Sequence, residues 1–165
     1  MKLLNKILVI FFTLLFSTNL AISGEKWDMA LAYGAGNFHS ANATAFAKSV
    51  TEKSGGKLTI VTHPGGSLYK GGEIFRAVRT GQAQIGERFM SALGKEDPLL
   101  EVDSQPFLAT SYNDAMKLYK ASKPEIVKGL DAKGLVFLYA VPWPAQGLYS
   151  KKEINSVADL KGLKF

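Results

Sequence analysis

The sequence has no cysteine. That excludes disulfides and thiolate metal sites, and it closes the lipoprotein route, which needs a cysteine at the cleavage point. Histidine is almost as scarce, with His39 and His63 alone. A metal site would have to recruit carboxylates from elsewhere, so a turn histidine and a strand-end histidine are the simpler readings. No run of lysine and arginine exceeds two residues. Nucleic-acid binding calls for clustered basic residues with interleaved aromatics, so no nucleic-acid partner is expected. The pair Gly34 and Gly36 lacks the third glycine of a dinucleotide loop, because His39 stands in its place. Pro64-Gly65-Gly66-Ser67 lacks the Lys-Ser/Thr ending of a P-loop, and no serine sits in a nucleophile elbow. No cofactor and no metal are expected.

What remains is an ordinary globular composition: 165 residues, 47% hydrophobic and 21% charged. The first segment stands apart from it. Lys2 and Lys6 form a basic n-region, residues 7–16 are apolar except for Thr13, and Ala21-Ile22-Ser23 offers small residues to a signal peptidase. This pattern predicts a secretory signal over residues 1–23, cleaved after Ser23, and hence a periplasmic protein. The apolar run is short for a membrane-spanning helix. The signal lysines carry two of the formal +6, so the mature part is +4, a mild excess that suits a small anionic ligand.

The mature chain alternates helix and strand patterns. Residues 27–32 (WDMALA) predict a first strand, and Tyr33 to Ser40 predict a glycine-rich turn into a helix capped by Ser40 or Asn42. Phe46 and Val50, with Ala43 and Ala47, make one apolar helix face, which Gly55-Gly56 ends. Leu58, Ile60 and Val61 predict a strand, and Pro64 to Ser67 a turn. Ile74 and Val78 share the next helix face, Gly81 ends it, and Gln84-Ile85-Gly86 opens another strand. Helix and strand in this alternation predict a parallel α/β sheet, in which ligands sit beyond the carboxyl ends of the strands.

After Gly86 the pattern weakens. Residues 87–103 predict an irregular excursion with one helical turn. Ser111 to Asp114 has capping-box spacing before a helix with Ala115, Leu118 and Tyr119 inward. Pro124 predicts the first turn of a separate helix, with Ile126, Val127 and Leu130 inward and Gly134 as its stop. Residues 135–141 (LVFLYAV) predict a central strand buried on both faces. A short strand is expected over residues 147–150, a short capped helix after Ser156, and the start of a strand at Leu163 to Phe165. The last of these suggests a chain that stops inside a strand.

Taken in order, FAKSVTEKSGGKLTI, the PGGSL turn, EIFRAVRTGQAQIG, DSQPFLATSYNDAMKLY and INSVADLKGLKF resemble the solute-binding subunits of TRAP (tripartite ATP-independent periplasmic) transporters. The resemblance covers essentially the whole mature chain. It implies a type II periplasmic-binding-protein-like α/β fold, a two-lobed clamshell closing on its ligand. Residues 24–143 would form the first lobe, incomplete, and residues 144–165 the crossing segment and the start of the second. The implied role is non-enzymatic: a monomer captures an organic acid and delivers it to membrane permease subunits. Family members commonly carry an arginine directly after the LKGLKF segment, where this sequence ends at Phe165, and many carry another near the position of Gln146.

The candidate ligand-binding residues follow from the loops. Tyr33, Phe38, His39 and Asn42 belong to the turn after the first strand, which either lines the cleft or simply needs its glycines. Glu87, Arg88 and Phe89 follow the third strand, as ligand contacts or as a solvated ion pair. Trp143, between two prolines, is either hinge packing or an aromatic wall, and Gln146 and Tyr149 are the polar candidates beyond it. Pro64 to Ser67 is either a plain turn or an anion nest. The competing reading is an exported α/β enzyme acting on a small anionic substrate through the same loops, and it lacks a recognisable base and nucleophile.

Overall fold

The computed structural model describes residues 24–164 apart from residue 146. The expected signal segment with its cleavage after Ser23, Gln146 and Phe165 lie outside the described residues. The chain divides into two compact units that part between Arg88 and Phe89.

The first unit is a parallel sheet with its crossover helices. β1 (Glu25–Leu31), α1 (Phe38–Lys53), β2 (Leu58–His63), α2 (Ile74–Arg79) and β3 (Ile85–Glu87) follow in order. β1 lies in the centre, in the order β2-β1-β3, and both pairings are parallel. The register aligns Glu25 with Leu58 and Ala30 with His63 on one side, and Leu31 with Glu87 on the other. The β-branched run at β2 and the helix periodicity of α1 are both realised as the sequence predicts.

The core follows from the two periodicities. Met29 and Leu31 project from one face of β1 and join Ile60 and Ile85 from its neighbours. Ala43 and Ala47 meet them from α1, one turn apart, and their small side chains let the helix lie close to the sheet. Phe46 and Val50 pack at the margin of this cluster, half-buried. After α1 the chain must reverse, and Gly55 and Gly56 do so at φ of 61° and 77°, which a side chain at Cβ would strain. Gly86 is needed for a different reason. A Cβ there would stand 2.6 Å from Ile74 Cγ2 and 3.0 Å from Val78 Cγ2, so its absence lets α2 rest on β3.

The cap of α1 differs from expectation. Asn37 is the N-cap, its side chain accepting from the His39 amide at 2.9 Å. Ser40 and Asn42 stand inside the helix, where a side chain no longer reaches the orphan amides of the first turn.

The second unit is mostly helical. Two 3₁₀ helices, η1 (Met90–Leu93) and η2 (Pro98–Ser104), replace the single helical turn expected there. α3 (Tyr112–Asp131) opens on Ser111, whose hydroxyl accepts from the Asp114 amide at 3.1 Å, as the capping-box spacing predicts. The expected break at Pro124 does not occur. α3 runs through it, because Pro124 faces solvent and Ile126, two residues further, is buried and anchors the continuation. A proline inside a helix costs one main-chain bond, and that loss is local. Gly134, at φ 76°, then ends the turn, and the Leu135 amide closes back on the Leu130 carbonyl at 3.0 Å.

Three expected strands are absent among the described residues. Residues 135–141 alternate in exposure without forming a ladder, and Val136 is 80% exposed. Residues 147–150 and 163–164 form no ladder either. An apolar run becomes a strand only when a neighbour takes its main-chain N–H and C=O groups, and no described strand lies beside these segments. η3 (Val157–Leu160) carries the capping box expected at Ser156 and Asp159. No described helix is long and apolar enough to cross a membrane.

Candidate functional site

The parallel register of the first unit brings three chain segments to one rim. Leu31 pairs with Glu87 at the carboxyl ends of β1 and β3, and the turn after His63 ends β2 on the same side. The loop from Ala32 to Asn37, the turn at Pro64 and the residues after β3 therefore share an edge.

Main-chain bonds fix the two glycine-rich loops to each other. The Tyr33 carbonyl accepts from the Ser40 hydroxyl and from the Gly65 amide, both at 2.7 Å. The Gly66 amide donates to Leu31 O at 2.9 Å. The amides of Gly65 and Gly66 are thus consumed by the protein's own carbonyls. The Pro64 to Ser67 segment is a turn, and its alternative reading as an anion nest is set aside.

Against this frame the aromatic residues of the first loop stack. The His39 ring lies 4.1 Å from that of Phe38 and 5.8 Å from that of Tyr33, tilted to both. His39 is buried, and burial holds its imidazole below the ordinary value, which favours the neutral ring. Phe38 remains 45% exposed and presents an apolar edge to solvent. Asn42 sits on an exposed position of α1, outside the stack.

The charged pair completes the rim. Burial pushes the Glu87 carboxyl up, opposed in part by the Arg88 guanidinium. Burial also raises the Tyr33 phenol, with Glu87 adding to the rise and Arg88 opposing it, so both charges act on the Tyr33 hydroxyl. Two polar atoms here are buried without a hydrogen-bond partner: Glu87 Oε2 and Arg88 Nε. Sequence reasoning missed one supporting residue, Gly71. A Cβ on Gly71 would lie 3.2 Å from Arg88 Nη1 and 3.5 Å from the Ala32 methyl. The bare backbone of Gly71 makes room for the guanidinium, and the Gly71-Gly72 doublet was the available signal.

The remaining candidates belong to the second unit. Phe89 and Trp143 meet edge to face, with ring centroids 6.0 Å apart and an interplanar angle of 79°. Tyr149 is 89% exposed and joins no cluster. No group of three or more metal-ligating side chains occurs among the described residues.

A parallel α/β sheet whose carboxyl-end loops gather aromatic rings and the half-buried side chains of Glu87 and Arg88 is the framework of a small-molecule binding protein. The family model of bacterial extracellular solute-binding proteins, family 7 (DctP), matches residues 31–165, and the chain belongs to that family. It is a family of solute receptors. Among solved structures the chain is similar to a marine metagenome TRAP solute-binding protein specific for pyroglutamate, at 58% identity and TM-score 0.82 over 86% of this chain and 47% of that one. It is also similar to a Bordetella pertussis extracytoplasmic solute receptor binding pyroglutamic acid, at 49% identity and TM-score 0.81 over 84% of this chain and 46% of that one. Among curated proteins it is 31% identical over 133 residues to a solute-binding protein of Albidiferax ferrireducens, covering 78% of this chain and 38% of that protein. The chain spans less than half the length of these relatives. Their α/β fold with a parallel sheet is the one observed here, in agreement with the sequence-based expectation.

Proposed function

We propose that this protein is the extracytoplasmic solute-binding component of a TRAP-type secondary transporter. It captures a small organic acid and delivers it to membrane permease subunits, without turnover. The observation that carries the reading is the carboxyl-end rim of the first unit, where Glu87 Oε2 and Arg88 Nε are buried and unbonded beside Tyr33. Buried polar atoms in native proteins find partners, and a ligand is the partner such a rim awaits. Arg88 supplies the positive charge for a carboxylate.

The proposed ligand contacts are Tyr33, Phe38, His39, Asn42, Glu87 and Arg88 from the first unit, and Phe89, Trp143, Gln146 and Tyr149 from the second. Support for a cyclic amide acid comes from the relatives at 58% and 49% identity that bind pyroglutamate and pyroglutamic acid. On this reading residues 1–23 are a signal removed after Ser23, residues 24–143 belong to a first lobe, residues 144–165 enter a second, and the receptor acts as a monomer.

Thermal shift with a panel of organic acids tests the function. A ligand at about one hundred times its Kd adds about 2.7 kcal/mol to the folded state, a readily measured rise in Tm. Stabilisation by a carboxylate with no product formed is the expected result. Absence of any shift, together with measurable catalysis, would overturn the assignment. Mass spectrometry of protein recovered from the periplasm tests the cleavage point.

A further inference from the structure

β1 is the central strand of the first unit, and its first residues meet the turn that ends α1. The Glu25 amide donates to Lys57 O at 2.8 Å, and the ladder with β2 starts there, with Glu25 opposite Leu58. Gly24, one residue earlier, lies against the same turn. A Cβ on Gly24 would collide with the Gly56 carbonyl oxygen and stand 3.4 Å from Lys57 O, so only glycine fits without a shift. The Gly24 nitrogen shares that Cα, which places it within about 5 Å of Gly56 O.

The turn is rich in carbonyls. The last carbonyls of α1 carry the negative end of its dipole, and Gly55 and Gly56, at positive φ, fold the chain back over them. The amides of Ser54, Gly55 and Gly56 donate to Val50, Glu52 and Thr51, and that of Lys57 donates to Ser54. Lys57 O is taken by Glu25, while Gly56 O serves none of these bonds. Among the nearby charges, Lys26 is turned to Asp28 and Lys48 to Glu52, each at 3.8 Å, and Glu25 accepts from Trp27 Nε1 at 2.8 Å. Lys53 and Lys57 oppose a further cation here, but both are exposed, so solvent and salt screen them.

We propose that removal of the signal segment supplies a structural group: the α-ammonium freed on Gly24 donates to Gly56 O and pins the start of the central strand to the turn that ends α1. The proposal rests on the reading that cleavage falls after Ser23. Before cleavage that nitrogen is a neutral amide with a single N–H, tied to the preceding residue. After cleavage it is a cation on a free chain end, and a charge-assisted bond to a carbonyl becomes available. The missing Cβ of Gly24 is what lets the amine approach the turn. Pinning matters because Trp27, near the same end of β1, packs with Phe46, Val50 and Leu58 at the margin of the core.

The test is an NMR titration of the processed protein with isotope-labelled glycine, following the Gly24 Cα. The α-amine should titrate above its ordinary value of about 7.7–8.0, by roughly half a unit. A raised amine stabilises the fold below its unfolded pKa, and the contribution is lost as pH rises through the folded value. A chain that retains Ser23 should therefore melt below the processed chain at neutral pH and match it at about pH 10. Gly24→Ala keeps the amine but adds the methyl that Gly56 O excludes, so its amine should return to the ordinary value. An ordinary or lowered amine in the processed chain, or a melting difference that pH does not alter, would overturn the proposal. The processed chain decides by itself should Gly24→Ala fail to fold. Mass spectrometry showing a start other than Gly24 would overturn the cleavage reading and this proposal together, whereas a start at Gly24 with an ordinary amine overturns this proposal alone.

Discussion

The hydroxyl of Ser40, in the first turn of α1, donates a 2.7 Å hydrogen bond to the main-chain carbonyl of Tyr33. It ties the start of the helix to the loop that leaves β1, seven residues earlier. The same carbonyl also accepts from Gly65, so both of its lone pairs are used and three segments converge on one oxygen. The stack of Tyr33, His39 and Phe38 is held by this arrangement.

Ser40→Ala should therefore cost little stability and more function. The Tyr33 carbonyl keeps its bond from Gly65, and alanine suits a helix interior, so the loss should be about 0.5–1 kcal/mol. Freed from α1, the Tyr33 loop should bind ligand less tightly. Chemical denaturation and calorimetric titration of the same variant measure the two effects. A stability loss with unchanged affinity would show that the loop does not need this tie.

Gly86→Ala should be destabilising by overpacking. The new methyl would press into Ile74 Cγ2 at 2.6 Å and Val78 Cγ2 at 3.0 Å, and α2 would have to lift from β3. Such insertions typically cost about 1–3 kcal/mol. The midpoint in urea should fall, and because Glu87 directly follows in β3, ligand affinity should fall with it.

Glu87 makes stability depend on pH in a defined direction. Its folded pKa is raised above 4.5 by burial, so the native state holds its proton to higher pH than the unfolded chain does. Between 4.5 and the raised folded value the native state binds more protons, and stability falls as pH rises. Above that window the buried carboxylate is a standing penalty. Glu87→Gln should therefore stabilise the ligand-free protein at neutral pH and flatten the dependence, as read by thermal melts across the acidic range. A melt series parallel to that of the unmodified protein would contradict this.

The opposite sign applies at Asp28. Its carboxylate accepts from His63 Nε2 at 2.7 Å, and this bond, against desolvation and with smaller contributions from Lys26, holds the pKa below 3.8. A depressed carboxylate stabilises the fold above its unfolded pKa, and the contribution is lost as pH falls through the folded value. In His63→Ala the Asp28 pKa should rise, because the bond that lowers it most is gone. Carboxyl carbon chemical shifts measured during an acid titration report this directly.

Much of the first unit was legible because its signals are local. Phe46 and Val50 recur at helix spacing, Thr59, Ile60 and Val61 are β-branched, and Gly55 and Gly56 turn the chain, so helix, strand and turn follow from neighbours a few residues apart. The cap of α1 is ambiguous in the sequence because Asn37, Ser40 and Asn42 are all good capping residues, and only the helix start decides among them. Pro124 misled for a related reason. A proline marks a first turn or interrupts a helix, and the buried Ile126 beyond it settles which. Residues 135–141 show the limit of composition. Their run is as apolar as a central strand, yet strand identity resides in a neighbour's main chain.

By itself, then, the order of residues determined the helical and extended stretches of the first unit, the α/β class, and the loops where a ligand would be sought. Those properties depend on side-chain size, branching and spacing along the chain. Tertiary structure alone decided that Leu31 lies opposite Glu87, that Gly71 leaves space for Arg88, and that Glu87 Oε2 and Arg88 Nε are buried without partners. Desolvation and unmet hydrogen bonds arise only when distant segments close over a group, and no local pattern encodes that closure.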